Sequence, residues 1–333
     1  MGDRSAIEWT DASWNPIRAR RRSDGRVGWF CTHASEGCRN CYAERLNRRL
    51  GTGVDFKAQL LPSVELFLDE AILSQPLRWR RARMVFPCSM TDLFGEFVAT
   101  IWIDRMFAVM ALAGHHTFQV TTKRPDRMRA WYAGGGLERA AALLEELKPA
   151  PTWNGSVYEA RRHIAQGVLP NVWLGISAED HPNFVWRWDH LQATPAAIRW
   201  VSAEPLLGAI DMSGPLNSGR LHWVVAGGES GSDARPMHPA WVRQVRDACA
   251  YAGVPLLFKQ WGEWAPSPFF EKVMASDGLT VFWPDGSIGS GRAEQRGGPG
   301  VAARRLGKKK SGRLLDGRLH HDFPLMEWLA HVA

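Results

Sequence analysis

Six apolar runs of strand length, each followed at once by polar residues and a turn, constrain this chain most. Arg83-Met-Val-Phe-Pro87 leads into Cys88-Ser89-Met90-Thr91-Asp92, and Thr117-Phe-Gln-Val-Thr121 into Thr122-Lys123-Arg124-Pro125. Val172-Trp-Leu-Gly-Ile176 leads into Ser177-Ala178-Glu179-Asp180, and Ile198-Arg-Trp-Val201 into Ser202-Ala203-Glu204-Pro205. Leu221 to Ala226 leads into Gly227-Gly228-Glu229-Ser230, and Val254 to Phe258 into Lys259-Gln260-Trp261. Ile7, Trp9, Trp14 and Ile17 mark one further strand and its turn ahead of these. Helical stretches lie between several of the runs. Ile101 to Leu112 is apolar around much of its surface, and Trp241 to Ala252 carries Val242, Val245 and Cys249 near one face. Strands alternating with helices imply a parallel sheet with right-handed crossovers. Strands covered on both faces read as nearly continuous apolar runs. The expected class is α/β, a full or partial (β/α) barrel whose mouth is lined by the polar residues after each strand.

A length of 333 residues suits one such barrel with insertions. The barrel is expected over residues 1–265, with an insertion at about 134–170 opened by Gly134-Gly-Gly136. Residues 266–333 form a Gly- and basic-rich extension, including Gly297-Gly298-Pro299-Gly300 and Lys308-Lys309-Lys310. Leu314-Leu315-Asp316-Gly317 and Phe323-Pro324 suggest that its end returns to the barrel. No apolar run approaches the roughly 20 residues of a membrane span, and Met1 to Trp9 holds no apolar export core. A cytoplasmic protein without membrane contact is expected. Lys and Arg exceed Asp and Glu by 41 to 34, a net charge of +7 that favours polyanionic partners. The basic loop Arg18–Arg26 and the lysine run can meet phosphate or simply face solvent. Most of the 17 tryptophans are expected in the core.

The chemistry concentrates in Cys31-Thr-His-Ala-Ser-Glu-Gly-Cys38-Arg-Asn-Cys41-Tyr42, which holds three of the five cysteines. Six residues separate Cys31 from Cys38 and two separate Cys38 from Cys41, with Gly37 permitting a turn. Clustered thiols suit a metal site in a reducing compartment better than a disulfide framework. Zinc would call for a fourth ligand such as His33 or Cys88. A [4Fe–4S] cluster on three cysteines leaves one iron open, where usual ferredoxin spacing supplies four. Three buried reduced thiols are the plain alternative.

Trp14-Asn15-Pro16, the cysteine run with Tyr42-Ala43-Glu44, Ser89-Met90-Thr91-Asp92, Thr121-Thr122-Lys123-Arg124-Pro125, Ser202-Ala203-Glu204-Pro205, Gly227-Gly228-Glu229, Lys259-Gln260-Trp261-Gly262 and Leu315-Asp316-Gly317 carry a resemblance. It is to the phage Gp37/Gp68-type (DUF5131) proteins, and it runs from about residue 7 to about residue 324. That family resembles radical S-adenosylmethionine (SAM) enzymes with a widened three-cysteine motif. The resemblance implies a barrel of that type and a [4Fe–4S] cluster on Cys31, Cys38 and Cys41. SAM would bind on the open iron and be cleaved by one electron from an external donor, giving a 5′-deoxyadenosyl radical that abstracts hydrogen. The protein positions the cofactor and excludes side reactions.

Candidate cofactor contacts follow on the matching strand ends. Lys123 can pair with the SAM carboxylate, and Ser89, Thr91 and Ser177 can hydrogen-bond ribose or carboxylate. Gly227 and Gly228 allow close backbone approach. Glu229, like Glu179 and Glu204, is a mouth carboxylate, for which a structural ion pair is the competing role. Tyr42 can pack on the cluster or on adenine. Cys88, Glu204 and Glu229 are the candidate catalytic groups, Cys88 as a hydrogen-atom donor. The phage association and the charge point to a nucleic-acid base, such as an amino-acid-modified thymine in phage DNA, that is isomerised or otherwise modified. The host would be a bacterial or phage-infected cell. The competing expectations are a zinc-stabilised nucleic-acid-binding protein without catalysis and an accessory subunit of a partner enzyme.

Overall fold

A computed structural model of the chain describes residues 5–148, 155–266, 279–283, 288–289 and 301–324. The stretch Gly297–Gly300 and much of the expected extension lie outside these residues. Seven strands form the main sheet: β1 (Ala12–Trp14), β2 (Met84–Pro87), β3 (Thr117–Thr122), β4 (Val172–Ser177), β5 (Ile198–Ala203), β6 (Trp223–Gly227) and β7 (Leu256–Gln260). All neighbours are parallel and stand in chain order. The sheet curls into a half-barrel, so the partial form of the expected barrel is the one observed. Helices α1 (Tyr42–Leu50), α2 (Thr100–Leu112), α3 (Pro125–Ala133), α4 (His181–Gln192) and α5 (Pro239–Ala252) accompany it.

Successive side chains of a strand point to opposite faces. On β5, Val201 and Ala203 join the large core between sheet and helices, with Ile103, Met106 and Phe107 of α2 and Val242, Val245 and Cys249 of α5. Ile198 and Trp200 face the other way and join Trp9, Phe86, Trp173, Trp223, Val225 and Leu257 in a second cluster. Four tryptophans thus floor the concave side. Trp200 stands 5.2 Å from Trp9 and 5.3 Å from Trp223 between ring centroids. Two residues further along the same register come polar groups: Thr121 after Gln119, Ser202 and then Glu204 after Trp200, and Lys259 after Leu257. The mouth is therefore the next layer above an aromatic floor.

The basic run from Arg18 folds differently from the expected loop. Ile17–Arg21 pairs with Val27–Gly28 and with Val64–Leu68 in a small antiparallel sheet. Alternation explains it, because Ile17 and Ala19 are buried while Arg18 and Arg20 lie over the rings of Trp29 and Phe67. Residues 134–170 contribute three helices, Gly136–Ala142, Leu144–Leu147 and Val157–Ala165, whose Leu137, Ala140, Leu144, Ala160 and Ile164 join the large core. At the open edge, Phe258 N–H donates to His320 O at 3.0 Å and Asp322 N–H to Leu256 O at 3.1 Å. This segment covers part of the edge that a closed barrel would pair. No helix among the described residues is long and apolar enough to cross a membrane.

Candidate active site

The cysteine loop has little regular structure of its own. Its one short 3-10 turn is Glu36–Cys38, and Cys41 caps α1. Arginines from three distant parts of the chain hold the loop in place. Arg124 donates to Thr32 O at 2.9 Å and pairs with Asp92 at 3.1 Å. Arg187 donates to Ser35 Oγ at 2.9 Å and to Glu179 Oε2 at 3.0 Å. Arg235 donates to Glu36 O at 2.9 Å and to Glu229 Oε1 at 2.7 Å. Each guanidinium is thus fixed by a largely buried carboxylate and carries one stretch of the loop. Gly37 has a negative φ, and its role is close approach, since a Cβ there would stand 2.9 Å from Glu179 Oε2.

Cys31, Cys38 and Cys41 border one cavity of about 150 Å³, together with Ala43, Phe56, Phe86, Cys88 and Met90. Burial pushes the Cys31 thiol well up; Asp92 adds to this and Arg124 opposes it. Burial also raises Cys41, against the N–H groups of Glu44 and Ala43 at the start of α1. Ala34 N–H donates to Cys38 Sγ at 3.4 Å. Among the described residues no three His, Cys, Asp or Glu side chains converge tightly enough to hold a single metal ion. His33 is outside the cavity, with Nε2 at 3.0 Å from Glu44 Oε2. Cys88 sits on the cavity wall in a left-handed backbone conformation, φ 58°, and burial raises its thiol well above the ordinary range.

A larger cavity of about 330 Å³ adjoins this one over the strand ends. The two share Cys38, Cys41, Tyr42, Thr121, Lys123 and Ser177 as wall. Tyr42 donates its hydroxyl to Ser89 O, is 43% exposed as a residue, and lines both cavities, so it stands as a partition. Lys123 Nζ donates to Ser177 Oγ at 2.8 Å and Glu179 Oε2 at 3.1 Å. Glu179 faces two cations, Lys123 and Arg187, and thereby leaves one positive charge uncompensated at the wall.

The chain matches, over residues 4–324, the model of a family described as protein of unknown function (DUF5131). It belongs to that family. No curated protein and no solved structure matches it.

Other polar positions expected at the mouth are engaged within this family member's own framework. Ser89 Oγ accepts from Asn15 Nδ2 at 3.0 Å, and Thr91 Oγ1 donates to Phe30 O at 2.6 Å, both beside the thiol cavity. Glu179 is fully buried behind Lys123 and lines neither cavity. Glu229 lines the larger cavity, but its carboxylate accepts from Arg235 and from Asn40 Nδ2 at 3.0 Å. Gly227 gives room to Glu204, whose Oε1 would lie 2.8 Å from a Cβ, and Gly228 to Trp261 O at 2.0 Å. Both glycines thus allow close approach of protein groups, and Gly228 also lines the larger cavity. Ser202 and Lys259, expected at the mouth without an individual role, and Glu8 and Lys308, not expected there, all line the larger cavity. Reading each strand two residues past its last concave apolar side chain points to Ser202 and Lys259; Glu8 and Lys308 left no such signal.

Burial raises the Glu179 carboxyl, but Lys123 and Arg187 overcome this and bring it from 4.5 to about 2. Its folded value is lowered, so its stabilisation is complete above pH 4.5 and is lost as pH falls towards 2. In urea unfolding, Glu179→Gln is expected to be destabilised relative to wild type near pH 7, and by clearly less at about pH 3. An equal difference at both values would show that the carboxylate is not held by its cations.

Proposed function

We propose that this protein is a radical SAM enzyme acting on a nucleic-acid base. Cys31, Cys38 and Cys41 would hold a [4Fe–4S] cluster, with SAM in the larger cavity beside Tyr42, Lys123 and Ser177. The observation that carries this reading is the shared wall: three thiols on one loop border a small, largely apolar cavity that adjoins a larger one lined by Lys123, Glu204 and Lys259 at strand C-termini. The donor set suits a cluster, because all three thiols border one cavity. Sulfur ligands of one tetrahedral zinc, at about 2.3 Å from the metal, must instead meet at a point. Such a group, when bound and reduced by an external donor, supplies the electron that cleaves SAM.

The chain's own part is then defined. Lys123 and the charge left beside Glu179 receive a carboxylate. Ser177 orients that ammonium through its 2.8 Å bond. Tyr42 walls the thiol cavity, while Arg124, Arg187 and Arg235 fix the loop that carries the thiols. The net charge of +7 supports a polyanionic substrate. Setting would be the cytoplasm of a bacterial or phage-infected cell.

Anaerobic reconstitution with iron and sulfide tests the site. Brown protein with about four irons per chain is expected, with most of that loading lost in Cys31→Ala, Cys38→Ala or Cys41→Ala. Colourless protein that takes about one zinc per chain would overturn the reading.

A further inference from the structure

The far side of the larger cavity carries a charged set that the cofactor contacts leave unused. Lys259 Nζ lies 3.1 Å from Glu204 Oε1 and 4.0 Å from Glu8 Oε2, and Lys308 Nζ lies 3.5 Å from Glu8 Oε1. All four residues line the cavity. The Lys259 and Glu204 side chains are 17% and 14% exposed, so they are largely desolvated yet open to a ligand. The ammonium has three N–H donors and one close acceptor. Among the described residues, Glu204 Oε2 meets only Ser202 Oγ, at the 3.5 Å limit of a hydrogen bond. A donor and an acceptor with unused capacity therefore stand side by side, balanced in charge by Glu8 and Lys308. Tyr42, a half-exposed aromatic residue, lines the same cavity.

We infer that Glu204 and Lys259 form the base-reading subsite, and that they read a base edge presenting an N–H donor beside an acceptor. This deepens the proposed function and rests on it for the substrate class. The carboxylate accepts the ring N–H and the ammonium donates to the neighbouring carbonyl, with the base plane against Tyr42. Thymine, uracil and guanine have that edge. Cytosine and adenine meet the pair as well, through the amino N–H and the neighbouring ring nitrogen, whereas N3-methylthymine has no N–H on that edge and would set acceptor against acceptor. A buried acceptor left facing another acceptor discriminates strongly. Net neutrality of the four side chains also fits a base better than a free anion, whose charge would stay unbalanced there.

Equilibrium binding of dTMP, dGMP, dCMP, dAMP and N3-methyl-dTMP to the reconstituted full-length protein, with SAM present, tests this. Expected is binding of at least one of the four unmodified nucleotides, with dTMP at least about tenfold tighter than N3-methyl-dTMP. Glu204→Gln can turn an amide N–H towards the base, so it should narrow the gap between dTMP and N3-methyl-dTMP as well as weaken dTMP. A merely structural Glu204 would lower all affinities by one common factor, and that result overturns the assignment. Equal binding of dTMP and N3-methyl-dTMP, or binding of none of the five, also overturns it. 5′-Deoxyadenosine is assayed on the same preparations. Base selectivity without SAM cleavage refutes the proposed chemistry and leaves the subsite standing; cleavage without selectivity refutes the subsite alone.

Discussion

Replacing Arg187 by Met is expected to destabilise the protein by about 3–5 kcal/mol, because it leaves a buried carboxylate without its cation. Arg187 and Glu179 are 2% and 0% exposed at their side chains. The guanidinium also donates to Ser177 O at 2.6 Å and to Asn183 Oδ1 at 3.0 Å. Lys123 remains beside Glu179, at 3.1 Å, and limits the loss. The second consequence is local. Ser35 loses its anchor, so Cys38 and Cys41 should be alkylated several-fold faster in the metal-free variant than in metal-free wild type. Urea unfolding reads the first effect and timed alkylation the second. Unfolding changed by less than about 1 kcal/mol, the range of an exposed ion pair, would show that the pair is not desolvated.

The other large effect is expected at the aromatic floor. Trp200→Ala should cost about 3–5 kcal/mol, the range for truncating a buried Trp. The indole is fully buried, donates to Val120 O at 3.2 Å, and contacts Trp9 and Trp223. It also lies over Gly175, where an added Cβ would stand 2.5 Å from the ring. Gly175→Ala alone should therefore destabilise, and it should be tolerated far better in the Trp200→Ala background, because the methyl enters the space that the ring has left. Additive losses in the double variant would mean that the two residues are not in contact. Out of a domain stability of order 5–15 kcal/mol, either floor substitution is a large fraction. Loss of the floor also removes the layer on which Ser202 and Glu204 stand.

The sheet was legible because its strands are covered on both faces and so read as apolar runs, each followed by polar residues. Strand order followed from the short alternation of strand and helix. Closure was not legible: the number of runs allows a full or a partial barrel, and only the pairing shows that β1 and β7 are edges. The cysteine spacing marked the loop, whereas the arginines that hold it lie 92, 152 and 199 residues further along the chain. This distance explains the carboxylates as well. Glu179, Glu204 and Glu229 follow their strands in similar ways, and sequence gave them similar roles. In the fold Glu179 and Glu229 meet Arg187 and Arg235, and only Glu204, paired with Lys259, stays available to a ligand. Gly37, Gly227 and Gly228 were legible as special positions, but the groups that approach them come from elsewhere in the chain.

One measurement bears most directly on the central claim. Protein reconstituted without oxygen is reduced with dithionite, given SAM, and assayed for 5′-deoxyadenosine, alongside Cys31→Ala, Cys38→Ala and Cys41→Ala. The account predicts 5′-deoxyadenosine from wild type and none above background from any of the three variants. Iron-loaded, reduced wild type that leaves SAM intact in the presence of each of the four nucleotides and of single-stranded DNA would contradict it.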